Sequence, residues 1–142
     1  MNITIRIPEI ADIPAIVAWS GEREMLGSDR DTPHSPKVLK EWIKNPGQDV
    51  ILIAKIGGTP VGMCTVHWMR DWAYCSELYV AKEYRRKGVG KALIADVLKR
   101  LKGRDGFLGL VVDEHNTASK QFYTSIGFNE GFLFRWMDKQ MK

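Results

Sequence analysis

The chain carries little of what marks a secreted, membrane-embedded or metal-bound protein. Of its 142 residues only two are cysteines, Cys64 and Cys75. They flank a hairpin turn expected near Trp68 to Trp72 and read as small buried apolar residues in a reducing compartment. No histidine pair lies near them, so they make a poor metal site and no metal is expected. No segment approaches the roughly 18 consecutive apolar residues of a membrane span. The opening Met1-Asn2-Ile3-Thr4-Ile5-Arg6 lacks the basic-then-apolar layout of a secretory leader. Internal repeats, low-complexity tracts and linkers are missing as well. The expectation is one cytoplasmic domain over residues 1–142 with no membrane partner.

The net charge is +4. Cations gather at Arg85-Arg86-Lys87 and again over 99–102, and acids at Glu22, Glu24, Asp29 and Asp31. A basic patch suits nucleic acid, a small phosphorylated ligand or a solvated face, and composition does not choose. Interleaved exposed aromatics and an extended basic stripe are lacking, so nucleic acid is not the expected partner.

What is present is a regular alternation of strand and helix patterns. Ile3 to Ile7 alternates apolar with polar, as a strand does. Asp12 is placed to cap a helix with an apolar stripe at Ile13, Ile16, Val17 and Trp19. A loop over 27–33 leads to Ser35-Pro36, which opens a second helix with Val38, Leu39, Trp42 and Ile43 on one face. Val50–Ile56, Gly57-Gly58 and Val61–Trp68 read as a hairpin. Ile51, Leu52 and Ile53 are consecutive, so both faces of that strand call for burial. Further segments are a strand over Tyr74–Val80, a helix through Val89, Leu93, Val97 and Leu101, and a strand over Phe107–Val112. A helix over Thr117–Ile126 follows, capped by Asn116, with its core face at Ala118, Phe122 and Ile126. A last strand is expected over Phe132–Met137. The order βααβββαβαβ predicts an α/β fold with a mixed sheet and helices on both faces.

Arg85-Arg86-Lys87-Gly88-Val89-Gly90 sits between a strand and a helix. Unpaired amides at a helix start, glycines that admit close approach and three cations together suit a pyrophosphate. The P-loop does not fit, because Gly90-Lys91 is followed by Ala92 rather than a hydroxyl. The dinucleotide fingerprint does not fit either, because it needs glycine at Leu93. A solvated helix start is the plain alternative.

The segment Glu77-Leu78-Tyr79-Val80, continued through Gly88-Val89-Gly90-Lys91-Ala92-Leu93, resembles motif A of the GCN5-related N-acetyltransferases, whose core is R/Q-x-x-G-x-G/A. Downstream, Asn116-Thr117-Ala118-Ser119-Lys120-Gln121-Phe122-Tyr123 with Gly127-Phe128 resembles that family's second signature. Pro8 to Ile13 resembles its first strand-to-helix turn. Two departures stand out: Ser119 replaces the usual alanine, and the residues after Phe128 leave room for one strand where the family often has two.

The resemblance implies a single-domain fold with a mixed, mostly antiparallel twisted sheet, splayed between strands 4 and 5. It implies transfer of an acetyl group from acetyl-CoA, as cosubstrate, to a primary amine by direct attack. Leu78, Tyr79 and Val80 then hold the pantetheine arm through backbone groups. Arg85, Arg86, Lys87, Gly88, Val89, Gly90 and Lys91 hold the pyrophosphate, Asn116 and Ser119 line the arm, and Tyr123 protonates the leaving thiolate. The base is harder to place: where relatives carry a glutamate, this chain has Tyr74 or Val111. Glu77 stands out as base or amine anchor, with a solvated strand carboxylate as the plain reading and a water chain as rival. Trp19, Glu22, Glu24, Asp29, Asp31, Trp68, Asp71 and Trp72 are candidates for the acceptor side, where aromatics and acids suit an ammonium, with ordinary core packing and a solvated loop as the plain reading. A catalytically silent acetyl-CoA-binding module is the competing function, and a homodimer is left open.

Overall fold

The computed structural model describes residues 2–22 and 33–142. The chain divides into two compact units, Met1–Leu110 and Val111–Lys142.

The first unit holds strand β1 (Ile3–Arg6), a 3-10 turn (Ile10–Asp12), helices α1 (Ile13–Ser20) and α2 (Pro36–Lys44), strands β2 (Val50–Ile56), β3 (Thr59–Trp68) and β4 (Ala73–Val80), helix α3 (Val89–Arg100) and strand β5 (Leu108–Gly109). The strands form one sheet in the order β1-β2-β3-β4-β5. The first four pair antiparallel, and β5 lies parallel to β4. That is the mixed, mostly antiparallel α/β sheet expected. The Phe107–Val112 strand is shortened to two residues, paired as Ala73↔Leu108 and Tyr74↔Gly109. Beyond Tyr74 no further pairing to β5 is formed.

Helices cover both faces of the sheet. Ile53, Met63 and Tyr79 lie side by side on adjacent strands and pack against Ile13, Ile16, Trp19 and Leu39 of α1 and α2. Helix α3 packs on the other face. Its point of closest approach is Gly62, where an added Cβ would meet the Tyr79 carbonyl oxygen at 2.7 Å, Val89 Cγ1 at 3.2 Å and Leu93 Cδ1 at 3.4 Å. Ile51, Leu52 and Ile53 are all buried, so the consecutive apolar run of β2 is used on both faces.

Asp12 departs from the expected role. Its side chain makes no cap bond to α1. One carboxylate oxygen accepts from the Glu9 amide at 2.8 Å, and the other pairs with Lys55 Nζ at 2.9 Å, with both side chains largely buried. A buried charge needs such a partner, and this one ties the entry to α1 onto β2.

The second unit contains α4 (Thr117–Ser125), started by Asn116, whose side chain accepts from the Ser119 amide. No residue of α4 is buried, so the expected core face at Ala118, Phe122 and Ile126 is only partly covered. The expected strand over Phe132–Met137 is not formed, and Phe132, Leu133, Phe134 and Met137 are exposed. An apolar, aromatic-rich run can form a strand, but a ladder needs a second strand, and among its described residues Val111–Lys142 has none.

Gly62→Ala tests the packing of β4 and α3 around Gly62. The Tyr79 carbonyl is β4 backbone and cannot swing aside, and Val89 and Leu93 close in from α3, so overpacking should cost about 1–3 kcal/mol in urea denaturation. An unchanged midpoint would show that β4 and α3 leave room for a methyl group there.

Candidate active site

The site is built on a phase change in β4. Between β3 and β4 the register runs Thr65↔Glu77 and then Val66↔Cys75, so Ser76 is an extra residue. Such a bulge turns two successive side chains to one face and reverses the alternation beyond it. Two backbone bonds report the reversal independently. The Ala73 amide donates to Phe107 on the β5 side at 2.8 Å, and the Ala81 amide donates to Val61 on the β3 side at 2.8 Å. Residues eight apart in a regular strand would point the same way. Beyond the bulge, alternation therefore turns the amides of Leu78 and Val80 toward the β5 side, where the ladder has already ended.

The same strand end runs into the phosphate loop. After a 3-10 turn over Lys82–Tyr84, Arg85 to Gly88 are exposed. Arg86 has φ 62° and Gly88 has φ 86°. The latter is the left-handed conformation that costs a residue with a Cβ about 1–2 kcal/mol. Gly88 begins α3, and no side chain caps it. The first intrahelical bond runs from the Ala92 amide to the Gly88 carbonyl at 3.0 Å, so the amides of Val89, Gly90 and Lys91 have no intrahelical partner. These amides and the helix dipole make the loop attractive to an anion. The Val89 side chain is buried against Gly62, so only its backbone is available for a ligand. Lys91 is exposed. Arg85 bends back: its Nε donates to the Val80 carbonyl at 2.8 Å, and its guanidinium lies 5.6 Å from the centre of the Tyr79 ring. Lys87 sits over Tyr84 at 5.9 Å. Leu78 through Lys91 thus form one continuous surface of strand end, loop and helix start.

On the face toward α1 and α2, the bulge brings Ser76 and Glu77 together. Glu77 is buried, and its Oε1 lies 2.7 Å from His34 Nε2 and 3.0 Å from the Thr65 hydroxyl. Thr65 Oγ1 lies 2.8 Å from Ser76 Oγ, and Ser76 Oγ lies 2.9 Å from His67 Nε2. His67 stacks on Trp42 at 4.9 Å, with its Nδ1 3.9 Å from Asp49. Glu77 is therefore not a solvated strand carboxylate but the centre of a side-chain network. Sequence reading missed His34, Thr65, Ser76 and His67. The available signal was two polar residues in succession, Ser76-Glu77, inside a strand whose Cys75 and Leu78 are apolar.

On the α3 face, Cys64 and Cys75 are free thiols whose sulfurs lie 3.6 Å apart. The hydrogen bond between them, then burial, holds the Cys64 thiol well above its ordinary range, with the charge of Glu77 adding to the effect. Among the described residues no group of three or more His, Cys, Asp and Glu is placed to hold a metal ion.

The residues expected on the acceptor side are mostly engaged in packing. Trp19 is buried and stacks on Tyr79 at 5.4 Å. Trp68 has Arg104 over its ring, and Trp72 stacks on Phe107 at 5.2 Å. Asp71 is exposed. Glu22 accepts a short hydrogen bond from the Tyr79 hydroxyl. Glu24, Asp29 and Asp31 lie outside the described residues.

In the second unit, Asn116 Oδ1 accepts from the Ser119 amide at 3.0 Å, so its oxygen serves as the cap of α4. The Tyr123 ring sits edge-on between Phe122 at 5.1 Å and Phe128 at 5.4 Å. It is half-buried.

Comparison with known proteins agrees with this geometry. The model of the acetyltransferase (GNAT) family matches residues 15–128. An uncharacterised N-acetyltransferase of Methanocaldococcus jannaschii is 29% identical over 98 residues, covering 63% of this chain and 43% of that protein. The chain thus matches less than half the length of that relative. The ribosomal-protein-S18-alanine N-acetyltransferase of Escherichia coli superposes with a TM-score of 0.73 at 23% identity, over 92% of this chain and 80% of its own. The PaiA N-acetyltransferase of Thermoplasma acidophilum, solved with coenzyme A, does so at 0.67 and 22%, over 91% of each chain. At these identities the two structures share the fold.

Burial first, and the bond to Glu22 second, raise the pKa of Tyr79 above that of an ordinary tyrosine. In a spectrophotometric titration of the four tyrosines, Tyr79 should ionise above the usual ~10. Glu22→Gln should bring its midpoint down, and Tyr79→Phe should remove the late phase. A late phase that survives Tyr79→Phe would contradict the assignment.

Proposed function

The chain belongs to the acetyltransferase (GNAT) family, and we propose that it transfers an acetyl group from acetyl-CoA to a primary amine by direct attack within a ternary complex. The observation that carries this is the turned edge of β4, with the Leu78 and Val80 amides leading into the uncapped start of α3. A pantetheine arm has amide groups that can extend a sheet edge, and its pyrophosphate is the kind of anion that a helix start and adjacent cations attract.

In this reading the arm bonds to β4 through Leu78 and Val80, with Tyr79 between them, and the Val80 amide polarises the acyl oxygen as negative charge builds there. Arg85, Arg86, Lys87 and the backbone from Gly88 to Lys91 take the pyrophosphate. Arg85 has to leave the Val80 carbonyl or serve both, which makes it the loop residue coupled to the strand edge. Asn116 and Ser119 border the arm. The amine nitrogen attacks the carbonyl carbon, the C–N bond forms, and the C–S bond breaks. A lysine-type amine has a pKa of ~10.4 and must lose a proton to react. The Glu77 centre, buried and already bonded to His34 and Thr65, supplies that base or anchors the amine. Tyr123 gives its hydroxyl proton to the thiolate.

The acceptor is a small-molecule amine or a peptide or protein amine. The family match runs across the boundary between the two units, which supports reading residues 1–142 as one N-acetyltransferase domain. We read its compartment as cytoplasmic, on the two unbonded thiols that face each other at 3.6 Å.

A panel of amines with acetyl-CoA, read by release of free thiol, tests the function. Turnover is expected with at least one class of amine. Tyr123→Phe should lower kcat by up to ~10²-fold, the low end of general-acid effects, while leaving acetyl-CoA affinity nearly unchanged. Binding of acetyl-CoA without turnover of any amine would make the chain a silent binding module. Full activity of the phenylalanine variant would show that solvent protonates the thiolate.

A further inference from the structure

We infer that the group that takes the acceptor's proton is His34, with Glu77 behind it as the positioning residue. This deepens the acetyl-transfer reading and rests on it.

Exposure separates the two partners. The Glu77 side chain is 3% exposed and that of His34 is 25% exposed, so an amine arriving from solvent meets the imidazole before the carboxylate. Hydrogen-bond direction then fixes the tautomer. A carboxylate only accepts. Glu77 Oε1 receives the Thr65 hydroxyl at 3.0 Å, so Thr65 has spent its one hydrogen and must accept from Ser76 at 2.8 Å. Ser76 in turn accepts from His67 Nε2 at 2.9 Å. Every bond in this chain points toward Glu77, and the 2.7 Å contact from the other side must be donated by His34 Nε2. With its hydrogen on Nε2, His34 keeps a lone pair on Nδ1, the nitrogen that can accept.

The imidazole is also held from its own backbone. The His34 amide donates to Ser20 Oγ at 2.9 Å, and that buried hydroxyl donates to the Val17 carbonyl at 2.8 Å at the end of α1. His34 is thus fixed between the end of α1 and β4. A base held at both ends loses little rotamer freedom when it acts.

The step balances within the groups named. The acceptor's ammonium first gives one proton to His34 Nδ1, which passes it to solvent; the neutral nitrogen then bonds to the thioester carbon, and its second proton passes to His34 Nδ1. The C–S bond breaks, and the thiolate takes the Tyr123 proton. Solvent then recovers the proton from His34 and returns one to Tyr123. His34 Nε2 stays within 2.7 Å of the Glu77 carboxylate throughout. Among the described residues the charged or titratable groups on this face include Glu77 and Tyr79 on β4, Glu22 bonded to Tyr79, the Asp12–Lys55 pair at the start of α1, and Tyr74 and His67 with Asp49 at the far end of the hydroxyl chain.

The test uses the full chain, acetyl-CoA and the best amine from the panel. Four forms are compared: wild type, His34→Ala, Glu77→Gln and Thr65→Val. Acetyl-CoA affinity and thermal melting serve as folding controls. His34→Ala should lose about 10²-fold or more in kcat/KM, keep its acetyl-CoA affinity, lose the acidic limb of the pH–rate profile and regain activity with added imidazole. Glu77→Gln should lose less, keep an acidic limb at a displaced pH and gain nothing from imidazole. Thr65→Val should resemble a mild form of Glu77→Gln. The inference is overturned if His34→Ala keeps wild-type rates, or if its acidic limb persists while that of Glu77→Gln vanishes, since the carboxylate would then be the base. A wild type that binds acetyl-CoA and acetylates no amine removes the acetyl-transfer reading itself, and the inference with it.

Discussion

Ser76 has no residue opposite it on β3, and that one unmatched position governs what the rest of β4 can do. Before it, the strand offers its amides at odd positions to β5, as Ala73 does. After it, the offer passes to even positions, and by then the ladder to β5 has ended. The same shift turns Tyr79 onto the face with Met63 and Ile53, where it completes the packing of α1 and α2. It places Glu77 on that face beside Thr65 rather than against α3. One backbone irregularity thus orients both the strand edge and the face that the proposed function uses. Bulges recur beside active sites, where they re-aim side chains.

The second constraint is the seating of α3. Gly62 lets Val89 and Leu93 come down onto the sheet, which puts the start of α3 next to the end of β4. The positive φ of Gly88 makes the sharp entry, and the lack of a side-chain cap leaves the first amides for an external partner. Arg85 couples the two parts by holding the carbonyl of Val80 in its present arrangement. In the proposed function a pyrophosphate competes for that guanidinium, which links donor binding to the strand edge through one side chain.

Much of the fold could be read directly. The helix stripe of α3, the consecutive apolar run of β2 and the Gly57-Gly58 hairpin each carry a local signal, and each element formed within a residue or two of its expected bounds. The glycine-containing entry to α3 was equally readable as a helix start, because its signal is a short contiguous motif. The failures have one kind of cause. Phe132–Met137 is apolar and aromatic enough for a strand but finds no ladder partner within its unit. Asp12 looks like a cap but is claimed by Lys55, distant in sequence. His34 meets Glu77 across 43 positions of chain, and Ser76 matters only through a register that the sequence does not display. Periodicity speaks for one element at a time, whereas these roles are assigned by a second element.

The account's central claim is that the bulge phases β4 so that Leu78 and Val80, and not their neighbours, present amides to the donor. Residue-resolved amide hydrogen exchange with and without acetyl-CoA addresses it directly. Tyr79 and Ala81 face β3 and should be protected in both states, whereas Leu78 and Val80 should exchange faster in the free protein and become protected when acetyl-CoA is added. Protection that appears at Tyr79 and Ala81 instead, or no change at Leu78 and Val80 under saturating acetyl-CoA, would contradict it.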